Sequence, residues 1–95
     1  MPKISLHEAK KLVSLWSKGT FPTVAESIKY HFAVHGKGVS AQSVWQYLRK
    51  AGNFAANLRG AKKSFLDGGY IRFMKGGNYI IKNNEGEILS FGIEG

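Results

Sequence analysis

The chain predicts an α+β fold, with N-terminal helices packed on a small C-terminal antiparallel β-meander. Three observations carry this. Ser5–Glu8 and Thr23–Glu26 both have capping-box spacing, and each stands ahead of an apolar row at helical spacing. From about Tyr70 the pattern changes to short β-rich runs separated by Gly- and Asn-containing turns. Helices first and a meander after them make an α+β plan. Ninety-five residues hold one core, so residues 1–95 are expected to form a single domain.

The first helix is expected over about Leu6–Lys18, with Leu6, Ala9, Leu12, Val13 and Trp16 recurring along one side and Gly19 as the stop. The second follows Pro22. Val24, Ile28 and Phe32 share its apolar face, His31 and His35 lie on or beside that face, and Gly36 ends it. The third begins near Ser40 or Ser43, with Val44, Leu48, Ala51, Ala55 and Leu58 spaced three or four apart. Gly52 costs about 1 kcal/mol relative to Ala inside a helix, so a break or kink is expected there. Helical character fades near Gly60. Strands are expected at Tyr70–Met74, Tyr79–Lys82 and Glu87–Phe91, with Lys75–Gly77 as a hairpin turn and Asn83–Gly86 as a second turn.

Composition narrows the function. There is no cysteine, so disulfides, thiolate catalysis and Cys-based zinc sites are excluded. No apolar run approaches the ~20 residues of a membrane helix, and the opening MPKISLHEAKK is too polar for a signal peptide. Membrane insertion by this domain is not expected, and export would depend on another segment or system. The net charge is +8, and no Asp or Glu occurs from Ser27 to Leu66. Such self-repulsion is relieved by a polyanion, which points to nucleic acid. The binding candidates are Arg49, Lys50, Arg59, Lys62 and Lys63 from that segment, with Lys75 and Lys82 from the meander.

The chemistry is bounded by what is missing. The acids are Glu8, Glu26, Asp67, Glu85, Glu87 and Glu94, and no two have an obvious metal-binding spacing. A two-metal nuclease needs clustered carboxylates. P-loop, GxSxG and GxGxxG signatures are absent too. His31 and His35 have the i, i+4 spacing of a metal-ligand pair, but Phe-Ala-Val lies between them and the general base of an HExxH site is lacking. No metal and no cofactor is therefore expected.

Metal-free RNA cleavage fits this inventory. RNA carries its own nucleophile, the 2′-OH. The protein needs a base, an acid and cations for the charge that develops on the phosphorane. Histidine suits either proton role near neutral pH. Two histidines a helical turn apart point the same way, which is poor geometry for an in-line base and acid, so one of them is expected to react. His31 sits within the apolar pattern and reads as a packed residue. His35 stands at the helix end, before Gly36-Lys37-Gly38, where a phosphate could approach the glycines closely and Lys37 could meet its charge. Arg72, Lys82 and Ser90 are polar positions in β-type runs, and Tyr70 and Tyr79 could offer hydroxyls or stack on bases. The alternative is a non-catalytic RNA- or DNA-binding module built on the same basic segment.

The succession SIKYHFAVHGKGVSAQSVWQYLRKAGNF, followed by GGYIRFMKGGNYIIKNNEGEILSFG, resembles the C-terminal toxin domains of bacterial polymorphic toxins. It is most similar to the ribonuclease toxins of contact-dependent inhibition systems and some bacteriocins, within the barnase/EndoU/colicin/RelE-like superfamily. The shared features are a helix ending in His-Gly-Lys, a following helix with a YLxKAxxF-type stretch, and a terminal meander ending in GEILSFG. The resemblance implies an α+β fold and metal-independent cleavage of RNA, often tRNA. It also implies neutralisation by a cognate immunity protein, here expected to be acidic, and delivery within a larger secreted or cell-surface toxin that acts in the target-cell cytoplasm. By position it makes His35, Lys37 and Ser90 the catalytic set, with Arg72 as a further member. Many relatives carry Tyr two residues after that Ser/Thr. This chain has Gly92 there, so the role passes to Tyr79 or is absent.

Overall fold

The structure is a computed structural model and describes residues 4–94. Each helix opens on a side-chain cap. The Ser5, Thr23 and Ser43 hydroxyl oxygens accept from the backbone N–H groups of Glu8, Glu26 and Gln46, starting α1 (Leu6–Ser14), α2 (Val24–His35) and α3 (Val44–Ala56). Four strands follow: β1 (Lys62–Phe65), β2 (Ile71–Lys75), β3 (Asn78–Lys82) and β4 (Ile88–Ile93). They form one antiparallel sheet in chain order. The α+β class is as the sequence predicts.

Three local expectations change. The first helix ends at Ser14 rather than Lys18. Trp16, assigned to that helix by spacing, instead forms a parallel bridge with Ile88. The Ser17 N–H donates to the Ile88 carbonyl at 2.9 Å, and the Ile88 N–H donates to the Leu15 carbonyl at 2.8 Å. This segment thus gives the β4 edge a backbone partner while Trp16 is driven into the core at 2 % exposure. Secondly, α3 passes through Gly52 without a break, with the Leu12 and Leu15 side chains close over it. A Cβ at Gly52 would lie 3.3 Å from Leu12 and 3.4 Å from Leu15. Thirdly, β1 is an unanticipated strand, pairing Lys62 with Met74 through to Phe65 with Ile71. Of the two starts offered for the third helix, Ser43 is the cap, and Ser40 lies in the preceding turn with φ 62°. The β2–β3 turn is tight, with Gly76 and Gly77 at φ 59° and 84°, the conformation a two-residue hairpin loop of type I′ requires.

Strand alternation divides the sheet into two faces. Phe73, Ile80 and Phe91 are cross-strand neighbours and pack toward the helices, with Tyr47, Leu48, Ile88 and Trp16 completing the core. The Tyr47 hydroxyl donates to the Phe91 carbonyl inside that core. The second face carries Lys62, Ser64, Arg72, Met74, Tyr79, Ile81, Ser90 and Gly92 by register. A bulge between Ile81 and Lys82 sets the phase of β4 that places Ser90 opposite Ile81 and Gly92 opposite Tyr79. The C-terminal end of α2 reaches this second face at β4 and seats His35 on Gly92.

Candidate active site

His35 is the last residue of α2, and three features hold its ring. The C-terminal turn is closed by the Gly36 N–H donating to the Phe32 carbonyl at 2.8 Å. Gly92 leaves space for the imidazole: a Cβ there would lie 2.9 Å from His35 Nδ1 and 3.0 Å from the Tyr79 ring. Tyr79 meets the imidazole edge-on, with ring centroids 5.9 Å apart and planes at 89°.

Polar contacts continue from there into the sheet. His35 Nε2 lies 3.3 Å from Tyr79 Oη, and Tyr79 Oη lies 2.9 Å from Ser90 Oγ. The register explains the convergence, since Tyr79 and Ser90 sit on adjacent strands one residue pair apart on the same face. Arg72, on β2, lays its guanidinium 4.6 Å from the Tyr79 ring centroid. The ring face attracts the cation and holds it beside the hydroxyls. Arg72 Nε is buried without a hydrogen-bond partner. Among the described residues the one ion pair is Arg49–Glu8, so no carboxylate neutralises Arg72.

The two histidines divide in character. His31 Nδ1 is 2.8 Å from the Ser27 carbonyl oxygen. A carbonyl only accepts, so Nδ1 carries the hydrogen and Nε2 is the free lone pair of the neutral ring. Trp16, Phe21 and Tyr30 surround that ring with centroids at 5.9, 5.8 and 5.2 Å. Burial pushes the His31 pKa below the ordinary histidine value, partly offset by the Ser27 carbonyl, which favours the cation. His35 is also held below its ordinary value, first by burial and then by repulsion from His31. The imidazole rings are nearly parallel, 6.0 Å apart at 13°.

The other expected residues are not gathered here. Lys37 is exposed in the turn after α2. The glycines flanking it serve packing rather than phosphate access. Gly36 is buried, and a Cβ there would meet the Phe32 ring at 2.6 Å, while one at Gly38 would meet Ile93 at 3.3 Å. Of the basic candidates, only Lys62 shares the sheet face of Arg72. Lys63 and Lys82 lie on the helix side, 5.8 and 5.9 Å from the Phe73 ring centroid. Lys75 Nζ donates to the Asn57 carbonyl at 2.8 Å. Arg49 makes a two-pronged pair with Glu8, both bonds at 2.9 Å, which holds the Glu8 carboxyl below its usual range. Lys50 borders a shallow depression with Asn53, Phe54 and Asn78, Arg59 is exposed in the turn after α3, and Tyr70 is exposed ahead of β2. No three His, Asp or Glu side chains among the described residues converge on a possible metal site.

Sequence reasoning missed the packing partners. Gly92 registers in sequence only as a missing tyrosine, whereas its lack of a side chain is what admits His35. Phe21 and Tyr30, beside His31, carried no signal beyond being aromatic. No protein-family model, no curated protein and no solved structure matches the chain.

Proposed function

We propose that this domain is a metal-independent endoribonuclease that cuts RNA by attack of a 2′-oxygen on the adjacent phosphate. The observation that carries the reading is the His35–Tyr79–Ser90 contact chain with the unneutralised Arg72 guanidinium beside it. Burial favours the neutral form of His35, and its Nε2 takes the 2′-OH proton when the 2′-OH replaces the Tyr79 hydroxyl at that nitrogen. The 2′-oxygen then bonds to phosphorus, the P–O5′ bond breaks, and the 5′ oxygen leaves with a proton from solvent. The products are a 2′,3′-cyclic phosphate and a 5′-hydroxyl. In this reading Arg72 and the Ser90 hydroxyl meet the non-bridging oxygens as charge builds on them. Tyr79 Oη lies on the same side as His35 and cannot be the in-line acid. It orients the imidazole and is a positioning residue. The dispersed acids give no support to a two-metal route.

The family resemblance extends the proposal to a toxin that cleaves tRNA, is delivered into a target cell as part of a larger protein, and is restrained by an acidic immunity protein. A partner covering a +8 chain gains from opposite charge.

The test is incubation with total RNA in excess EDTA, reading fragment ends, beside His35→Ala and His31→Ala. Discrete fragments with cyclic phosphate ends are expected. A positioned acid–base group is worth ~10²–10⁴-fold, and His35→Ala should lose about that much while staying folded. Cleavage that needs added metal would refute the mechanism. Tight, salt-sensitive RNA binding with the RNA left intact would favour the non-catalytic binding module.

A further inference from the structure

Along α2 runs a second row of side chains that the cleavage chemistry leaves unused. Tyr30 and Val34 are 52 % and 53 % exposed and stand one helical turn apart. Phe21, from the turn before α2, packs on Tyr30 with centroids 5.2 Å apart. This strip lies beside the His31–His35 row. Tyr30 meets His31 at 5.2 Å, and His31 lies 6.0 Å from His35, so the Tyr30 and His35 rings are at most about 11 Å apart.

We infer that the Phe21–Tyr30–Val34 strip is a stacking seat for an unpaired nucleobase, one or two nucleotides from the phosphate held at His35 and Arg72. The inference rests on the ribonuclease reading and names its substrate class: RNA that is single-stranded at the cut. Three features select this occupant. The strip is continuous with the His35 cluster, so a strand bound there can lie over it. The chemistry of the two ends orients that strand: His35 and Arg72 can hold a phosphate, whereas Phe21 and Tyr30 offer aromatic faces, so the phosphate takes the His35 end and the base the aromatic end. Finally, three side chains offer too little apolar surface for a stable protein interface, which takes about 800 Å² per partner, but enough for one base. A base still paired in a duplex keeps its faces inside the stack and cannot use the strip.

The test is binding of a 2′-O-methyl RNA oligomer, which cannot be cleaved through its 2′-oxygen, measured by fluorescence anisotropy. Tyr30→Ala should weaken binding by about 5- to 150-fold, the range of one base–aromatic stack, and Tyr30→Phe should bind like wild type. Walking an abasic nucleotide along the oligomer should reveal one position where wild type loses a similar factor and Tyr30→Ala loses nothing more. This arm needs only wild-type protein for its first half, so misfolding of the variant cannot mask it. The same oligomer annealed to its complement should bind Tyr30→Ala and wild type equally. No sensitive abasic position, or wild-type affinity in Tyr30→Ala, overturns the seat. Because no cleavage is measured, failure here is separable from failure of the ribonuclease reading, which is judged by fragment ends.

Discussion

Replacing Gly92 by alanine tests how the proposed base is held. The backbone accepts the change, because Gly92 lies in β4 and is not among the glycines at positive φ. On conformational freedom alone, alanine in place of a strand glycine gains about 0.5–1 kcal/mol. The side chain reverses the sign. Its Cβ would stand 2.9 Å from His35 Nδ1 and 3.1 Å from Cγ, and ordinary contact begins at 3.4 Å, so the ring must retreat by about 0.5 Å. The His35–Tyr79 contact is already 3.3 Å and does not survive that retreat. Overpacking of one methyl costs about 1–3 kcal/mol, so the net loss of stability is about 0–2.5 kcal/mol. In a domain of this size that lowers Tm by roughly 4–8 °C per kcal/mol. Misplacing a reacting group by up to 1 Å costs as much as ~10²-fold in rate. Gly92→Ala should therefore melt several degrees early, remain folded at 25 °C and cleave an unpaired RNA oligomer about 10- to 100-fold more slowly. Its His35 imidazole signals should move in NMR spectra. A variant with wild-type kcat/KM and unmoved imidazole signals would refute the seating of His35 on Gly92.

Three further outcomes are expected. Cleavage should rise with pH through an apparent pKa below the ordinary histidine value of 6.5 and then level off, because the neutral base is the active form; an optimum that falls away above pH 6 would instead make His35 the acid. Stability should decline as pH drops below about 6.5, since the unfolded histidines bind protons that His31 and His35 refuse when folded, and this slope in Tm should shrink in His31→Phe. Tyr47→Phe strands the buried Phe91 carbonyl and should cost about 1–3 kcal/mol by urea unfolding, whereas Gly52→Ala should add about 0.5–1 kcal/mol, because the leucine tips facing it can yield by tenths of an ångström.

The helices were legible because their start signals are local: a hydroxyl and the N–H three residues on, read directly from Ser5 and Thr23, with Ser43 one of the two starts offered for the third. Trp16 was misplaced because helical spacing continues past Ser14 in sequence, while the backbone leaves the helix to pair with Ile88, some seventy residues away. β1 escaped notice because Lys-Lys-Ser-Phe at a sheet edge has little buried surface to impose alternation. For the candidate site, His35 could be singled out from its place at a helix end. The family resemblance set Ser90 and Arg72 with His35 and offered Tyr79, but residue patterns alone could not unite them, since the union depends on the β3–β4 bulge and on where α2 meets the sheet. One signal was present and unused. Lys75 shares strand parity with Phe73 and Lys82 with Ile80, which places them on the helix side and away from Arg72.

The contact between His35 and Tyr79 joins positions 44 residues apart. The sheet alone can assemble Tyr79, Ser90 and Arg72 from its own hairpins, but the proposed base joins them only when α2 docks. Loop-closure entropy makes such distant contacts slow to form relative to hairpins. On the ribonuclease proposal, a partly folded chain would then be inactive even with its sheet in place. Recovery of cleavage after dilution from denaturant should lag the recovery of β-structure and coincide with burial of Trp16, making enzymatic activity a reporter of the last docking step.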